Sequence, residues 1–184
     1  MFARTERLLL RPGFPEDAAA LARTIADEQI VRNLGRAPWP YSLADAEAGL
    51  AAPLDPGLPR LLIFERTNSD PRLVGGCSLN RQPSGAVELG YWISRGDWNR
   101  GFASEACTAL VDIARTLRLP KLESGHFVDN PASGRVLEKL GFRATGLSAP
   151  RFSCARGMDV MSRLYRLSLA SRGCEDCPPP ALAA

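Results

Sequence analysis

The sequence predicts an α+β fold: a mixed sheet, antiparallel early in the chain, with a β-loop-α-β-α unit near its centre. Three observations carry this reading. Three apolar runs, over 61–66, 73–79 and 86–93, follow one another across the turn-forming stretches 68–71 and 82–85, the pattern of an antiparallel meander. A loop, a helix, a strand and a second helix succeed them over 94–140, a β-loop-α-β-α unit near the middle of the sheet. The helical stretches carry apolar residues at i, i+3, i+4 spacing sustained over two turns or more.

The elements follow in order. Residues 5–11 read as a first strand stopped by Pro12-Gly13. Pro15-Glu16-Asp17 opens a helix, since Pro fits the first helical position and acids complement the N-terminal dipole. Ala18, Leu21, Ala22 and Ile25 form its stripe. Residues 33–60 are rich in Pro and Ala, with Trp39 and Tyr41 among them, and Ser42 caps a short helix to about Ala52. After the meander comes a helix over 102–117, striped by Phe102, Ala106, Ala109, Leu110, Ile113 and Leu117. A strand over 122–128 precedes a helix over 131–140. Asn130 is its N-cap, Pro131 its first residue and Gly141 its left-handed stop, with Phe142 set to pack on Leu137. Residues 143–145 and 160–167 read as closing strands around a final loop.

Composition bounds the function. At 184 residues, 45% hydrophobic and 23% charged, the chain can bury one core without staples. One domain over 1–170 is expected, followed by a tail over 171–184. The net charge of +3 rests on scattered arginines, with only Lys121 and Lys139 as lysines, which argues against a nucleic-acid face. No apolar run approaches the roughly 20 residues of a membrane span, and no signal peptide opens the chain, so a cytoplasmic protein is expected. Of the five cysteines, Cys77 and Cys107 read as small core residues. Cys174-x-x-Cys177 in the tail supplies only two ligands, so no metal is expected.

Chemistry concentrates in two motifs. In Trp98-Asn99-Arg100-Gly101-Phe102-Ala103-Ser104-Glu105-Ala106, small and turn-compatible residues lead into a strong helix. Its free amide groups and positive dipole end would face an anion such as a phosphate, with Arg100 adding a mobile charge. The second motif is Asn130 to Phe142, where Asn130 and Ser133 are already explained as helix starters.

Together with the opening Thr5-Glu6-Arg7-Leu8-Leu9-Leu10-Arg11 and Glu88-Leu89-Gly90-Tyr91-Trp92-Ile93, these motifs resemble the GNAT superfamily of acyl-CoA-dependent N-acetyltransferases, and within it the RimJ/RimL-like group. The resemblance runs in family order from Thr5 to about Leu167. It implies a twisted, mostly antiparallel sheet with helices on both faces and acetyl-CoA as co-substrate. The pyrophosphate would lie on the amides of Arg100 to Ala103, within a loop contributing Trp98, Asn99, Arg100, Gly101, Phe102, Ala103 and Ser104. The pantetheine would bond along Trp92, Ile93 and Ser94, and Asn130 and Ser133 would meet the cofactor arm. Trp98 departs from the family's usual Gln or Arg. Leu137 stands where many members carry a tyrosine acid, which leaves Ser133 as its substitute.

The acceptor is expected to be a primary amine, of a small molecule or a peptide, including a ribosomal protein N-terminus, in a monomer or homodimer. An α-amine with pKa near 7.8 is roughly a tenth neutral at pH 7, against about 0.04% for a lysine, so a modest base suffices for the former. Glu88 is the candidate base, on a strand face shared with Gly90 and Trp92, where pairing with an arginine is the rival explanation. His126, the sole histidine, is the alternative base. Trp39 and Tyr41 could line the acceptor pocket, and Arg151, Arg156 and Asp159 on the final loop could meet the acceptor. A non-catalytic acyl-CoA-binding module on the same fold is the competing function.

Overall fold

The structure, a computed structural model, describes residues 1–53 and 55–169, so the expected tail with Cys174 and Cys177 lies outside it. One eight-stranded sheet runs in the order β1-β2-β3-β4-β5-β6-β8-β7. Its strands are β1 (Ala3–Arg4), β2 (Leu8–Arg11), β3 (Arg60–Glu65), β4 (Arg72–Arg81), β5 (Val87–Ile93), β6 (Lys121–Phe127), β7 (Arg143–Ser153) and β8 (Met158–Ser168). The helices are α1 (Ala18–Ile25), α2 (Glu28–Val31), α3 (Leu43–Ala51), α4 (Phe102–Thr116) and α5 (Pro131–Lys139).

Strand alternation builds two cores. Leu61, Ile63, Cys77, Leu79 and Leu89 point to one face and bury against Phe102, Ala106 and Leu110 of α4 and Leu137 of α5. Leu62, Phe64 and Leu73 point the other way, onto Ala18 and Leu21 of α1 and Ala46 of α3. Each fully buried Leu, Ile or Phe contributes about 1.5–3 kcal/mol, so the α4 face dominates stability. The end of α5 follows its sequence closely. Gly141 takes φ +87°, and the Phe142 N–H bonds the Leu137 carbonyl at 3.0 Å.

Three expectations are corrected. The single strand over 5–11 is a β1–β2 pair, because the Thr5 amide turns back onto the Leu8 carbonyl at 2.9 Å. A four-residue helix, α2, follows Asp27, whose side chain accepts the Gln29 N–H at 2.7 Å. The closing strands are not short. β7 and β8 each run eleven residues as a hairpin, so Arg151 and Asp159 lie on strands and only Arg156 lies in a turn.

The feature that shapes the site is where pairing fails. All neighbours are antiparallel except β5 and β6, which are parallel and share the single register pair Glu88–Glu123. Beyond it the two strands splay apart.

Candidate active site

The β5 backbone facing the splay can be assigned from its ladder. The Ser94 N–H bonds the Val74 carbonyl at 2.8 Å, so alternation aims the peptide groups of Trp92, Gly90 and Glu88 at β4. Those of Leu89, Tyr91 and Ile93 therefore face β6. The Leu89 carbonyl accepts the Ser124 hydroxyl at 2.8 Å and the Ile93 carbonyl accepts the Trp98 indole N–H at 2.8 Å. The Tyr91 N–H and carbonyl and the Ile93 N–H look into the splay, past the last β6 register pair. The expected run of Trp92, Ile93 and Ser94 thus narrows to Ile93, joined by Tyr91. The Trp92 ring instead covers Gly76, where a Cβ would come within 2.6 Å of its indole nitrogen.

At the mouth of the splay, α4 begins without a side-chain cap. Its N-cap Gly101 sits at φ +83° and Asn99 at φ +63°, so two left-handed residues flank Arg100. The Glu105 N–H is taken by the Gly101 carbonyl at 3.1 Å. The amides of Phe102, Ala103 and Ser104 precede any possible intrahelical acceptor, which leaves a cluster of donors at the positive dipole end.

The Arg100 guanidinium is not the free charge expected. It is held by Asp97 at 2.6 Å and Glu65 at 2.5 Å. Asp97, only 3% exposed, also accepts both terminal nitrogens of Arg72, at 2.8 and 2.7 Å, and the Ser94 hydroxyl. Arg72 first of all, then Ser94 and Arg100, outweigh burial and hold the Asp97 carboxyl down at about 2. An open cavity of about 670 Å³ lies against this turn, with Arg23 and Arg95 as well as Arg72 and Arg100 on its wall. Glu105, inside the first turn of α4, binds the Thr5 hydroxyl at 2.5 Å and the Arg7 backbone N–H at 2.9 Å. Its other oxygen takes the Arg7 guanidinium at 2.7 Å, tying α4 to the β1–β2 hairpin.

The two faces of the splay carry different groups. On the α1 face, Glu88 stands beside Gly90 and Trp92, and Arg151 from β7 holds its carboxylate through both terminal nitrogens. Tyr41 packs with Trp92 on the cluster of Ile25, Ile30 and Val31, and burial raises its phenol. Trp39, 43% exposed, joins none of these clusters. On the α5 face, the Tyr91 phenol crosses to the first turn of α5, with its oxygen 2.6 Å from Ser133 Oγ and 3.2 Å from the Ser133 carbonyl. Asn130 caps that turn by accepting the Ser133 N–H at 3.4 Å.

His126 lies on the α5 face, away from Glu88. Its Nδ1 is 2.8 Å from the Phe127 carbonyl, and its ring packs against Gly134 and Tyr165. Arg156 reaches Asp129 at 2.7 Å and donates to the Arg32 carbonyl at 2.8 Å. Asp159 is exposed on β8. Sequence reasoning missed Tyr91, Asp97, Glu105 and Asp129 as site-shaping groups. Only Asp97, three residues before Arg100, left a local signal, the i,i+3 ion pair. Among the described residues no group of three His, Cys, Asp or Glu side chains could hold a metal, and no helix is long and apolar enough to cross a membrane.

Comparison with known proteins meets this geometry. The model of the acetyltransferase (GNAT) domain matches residues 7–143. The N-acetyltransferase p20 of Bacillus licheniformis is 31% identical over 150 residues, covering 78% of this chain and 83% of its own. An acetyltransferase structure from Agrobacterium tumefaciens is 30% identical, with a TM-score of 0.71 over 91% of this chain and 94% of its own. RimL, a ribosomal L7/L12 α-N-protein acetyltransferase in complex with coenzyme A, shares the fold at 20% identity, with a TM-score of 0.72 over 91% of this chain and 98% of its own. With a family match over most of its length and a relative of this identity, the chain belongs to the GNAT family and is an acetyl-CoA-dependent N-acetyltransferase.

Proposed function

We propose that the acceptor is a primary amine that enters from the Glu88 face and attacks the thioester directly, without an acyl-enzyme. The observation that carries this is the splay itself, with free backbone donors between two faces that carry a carboxylate and a hydroxyl. The residues present suit acetyl-CoA. The uncapped start of α4, from Arg100 to Ser104, would receive its pyrophosphate, aided by Arg23 and Arg95 on the wall of the adjoining cavity. The Tyr91 and Ile93 peptide groups would bond its extended arm as a strand would, beside Asn130 and Ser133. Acetyl-CoA supplies an activated thioester.

The chain's own groups divide the remaining work. A Tyr91 or Ile93 N–H stands ready to stabilise negative charge on the acyl oxygen, the role of a preorganised backbone donor. Glu88 takes the proton released by the amine, directly or through water. Ser133 gives its hydroxyl proton to the departing sulfur. The C–N bond forms, the C–S bond breaks, and the proton lost by nitrogen replaces, through solvent, the one Ser133 gave. Tyr41, packed with Trp92, would border the acceptor side, with Trp39 two residues before it. The likeness to RimL supports a peptide or protein α-amine as one acceptor class, and small weakly basic amines are the other.

Thiol release from acetyl-CoA with a panel of peptides and small amines tests the acceptor class. Turnover with at least one peptide α-amine is expected, and turnover with small amines alone would overturn the peptide reading.

A further inference from the structure

Leu137, at the position where the family often places a tyrosine, is fully buried in the core and offers no hydroxyl. The structure delivers a phenol to the same helix from another strand. Tyr91 stands on β5 at the register of Cys77, where β5 faces the splay, and its ring spans the gap to the first turn of α5. Its oxygen has two partners on one residue, Ser133 Oγ and the Ser133 carbonyl.

Two hydroxyl arrangements satisfy these distances. In one, Ser133 donates to Tyr91 and Tyr91 donates to the carbonyl, so no proton faces the splay. In the other, Tyr91 donates to Ser133 Oγ and the serine proton is released. Rotating two O–H bonds interconverts them without moving a heavy atom.

We propose that Tyr91 is a positioning residue for Ser133. Its phenolic proton turns from the Ser133 carbonyl to Ser133 Oγ, aiming the serine O–H into the splay as negative charge develops on the departing sulfur. Burial favours the protonated phenol, so Tyr91 remains a donor throughout, despite an opposing effect of the Ser133 hydrogen bond. Tyr91 is protonated before and after the step, since solvent restores the proton that Ser133 gave; what the phenol supplies is direction. The inference rests on Ser133 serving as the acid.

The test compares Tyr91→Phe, Ser133→Ala and the double variant. Each single change should lower kcat by about ten- to a hundredfold while KM for acetyl-CoA stays within about twofold. The double variant should be no worse than the more damaging single one. A second readout needs no turnover. Free coenzyme A and its desulfo analogue are titrated by calorimetry at pH 7 and pH 9, spanning the ordinary thiol pKa. Wild type should favour the thiol-bearing ligand about tenfold more at pH 9, the size of one hydrogen bond to a charged sulfur. Tyr91→Phe should lose that gain. If Ser133→Ala retains full kcat, the acid assignment fails. If Ser133→Ala is impaired while Tyr91→Phe is not, or the two losses multiply, only the positioning role of Tyr91 is overturned. Retention of the pH 9 preference by folded Tyr91→Phe overturns it as well.

Discussion

Arg151 on β7 and Glu88 on β5, 63 residues apart in sequence, meet as a bidentate ion pair on the α1 face of the splay. The carboxylate is 17% exposed, so a charged amine could share it with Arg151 without full desolvation. If Glu88 takes the amine's proton, Glu88→Gln should lower kcat/KM about ten- to a hundredfold at pH 7. The deficit should shrink toward pH 9, where more of the amine is already neutral. Steady-state thiol release across this range checks it, and a deficit constant with pH would remove Glu88 from proton transfer.

Gly101 is the residue on which the proposed anion-binding turn depends. At φ +83° a β-branched side chain is strained by about 1–3 kcal/mol and would tilt the Phe102 and Ala103 amides. Gly101→Val should raise KM for acetyl-CoA at least about tenfold. Gly85, at φ +81° with open space around it, provides the control. Gly85→Val should cost similar stability and leave that KM unchanged. Equal KM for the two variants would reduce the Gly101 turn to a structural role.

Asp97 predicts the acid limit of the turn. Its carboxyl is held at about 2, below the ordinary 3.8, chiefly by Arg72. A depressed acid contributes stability above its unfolded pKa and loses it as pH falls through the folded value. Wild type should therefore lose stability between about pH 4 and pH 2 through this group. Asp97→Asn should be less stable at neutral pH and show a flatter acid limb. Urea titrations at a series of pH values measure both, and parallel limbs would contradict the assignment.

Much of this was legible in the sequence because it is local. The meander, α4 and α5 are fixed by apolar periodicity and by caps within a few residues, and they fall within a residue or two of expectation. α2 is four residues long, too short for a periodic signal. β7 was obscured by Gly146 and Pro150, breakers it tolerates because it is an edge strand. The groups that set the site's electrostatics are paired across the chain. Glu105 meets Thr5 from 100 residues away, and Tyr91 meets Ser133 from 42. No local pattern encodes such pairs, so Arg100 read as free of its distant partner Glu65, and the pairing of Glu88 with an arginine stood only as a rival explanation with no partner named.

Arg156 pins the β7–β8 turn on the side from which the amine is proposed to enter. From the β7–β8 turn it donates to the Arg32 carbonyl at 2.8 Å, just past α2, and binds Asp129 at 2.7 and 3.1 Å. The Cys154 N–H adds a bond to the Gly35 carbonyl at 3.1 Å. The hairpin is thus pinned at its tip, while Arg151 on the same hairpin reaches Glu88. The Asp129 carboxyl is lowered by Arg156 above all, with Arg32 adding to it, so the clamp is intact at neutral pH. Arg156→Ala should release the tip at a cost of about 1.5–3 kcal/mol, the range of hydrogen bonds to a charged group. Hydrogen exchange at the Cys154 amide should quicken, and KM for the amine should rise severalfold while KM for acetyl-CoA holds. The asymmetry follows from position, because none of these bonds touches α4 or the turn before it. A matching rise in both KM values would mean that the hairpin tip supports the whole splay rather than the acceptor side alone.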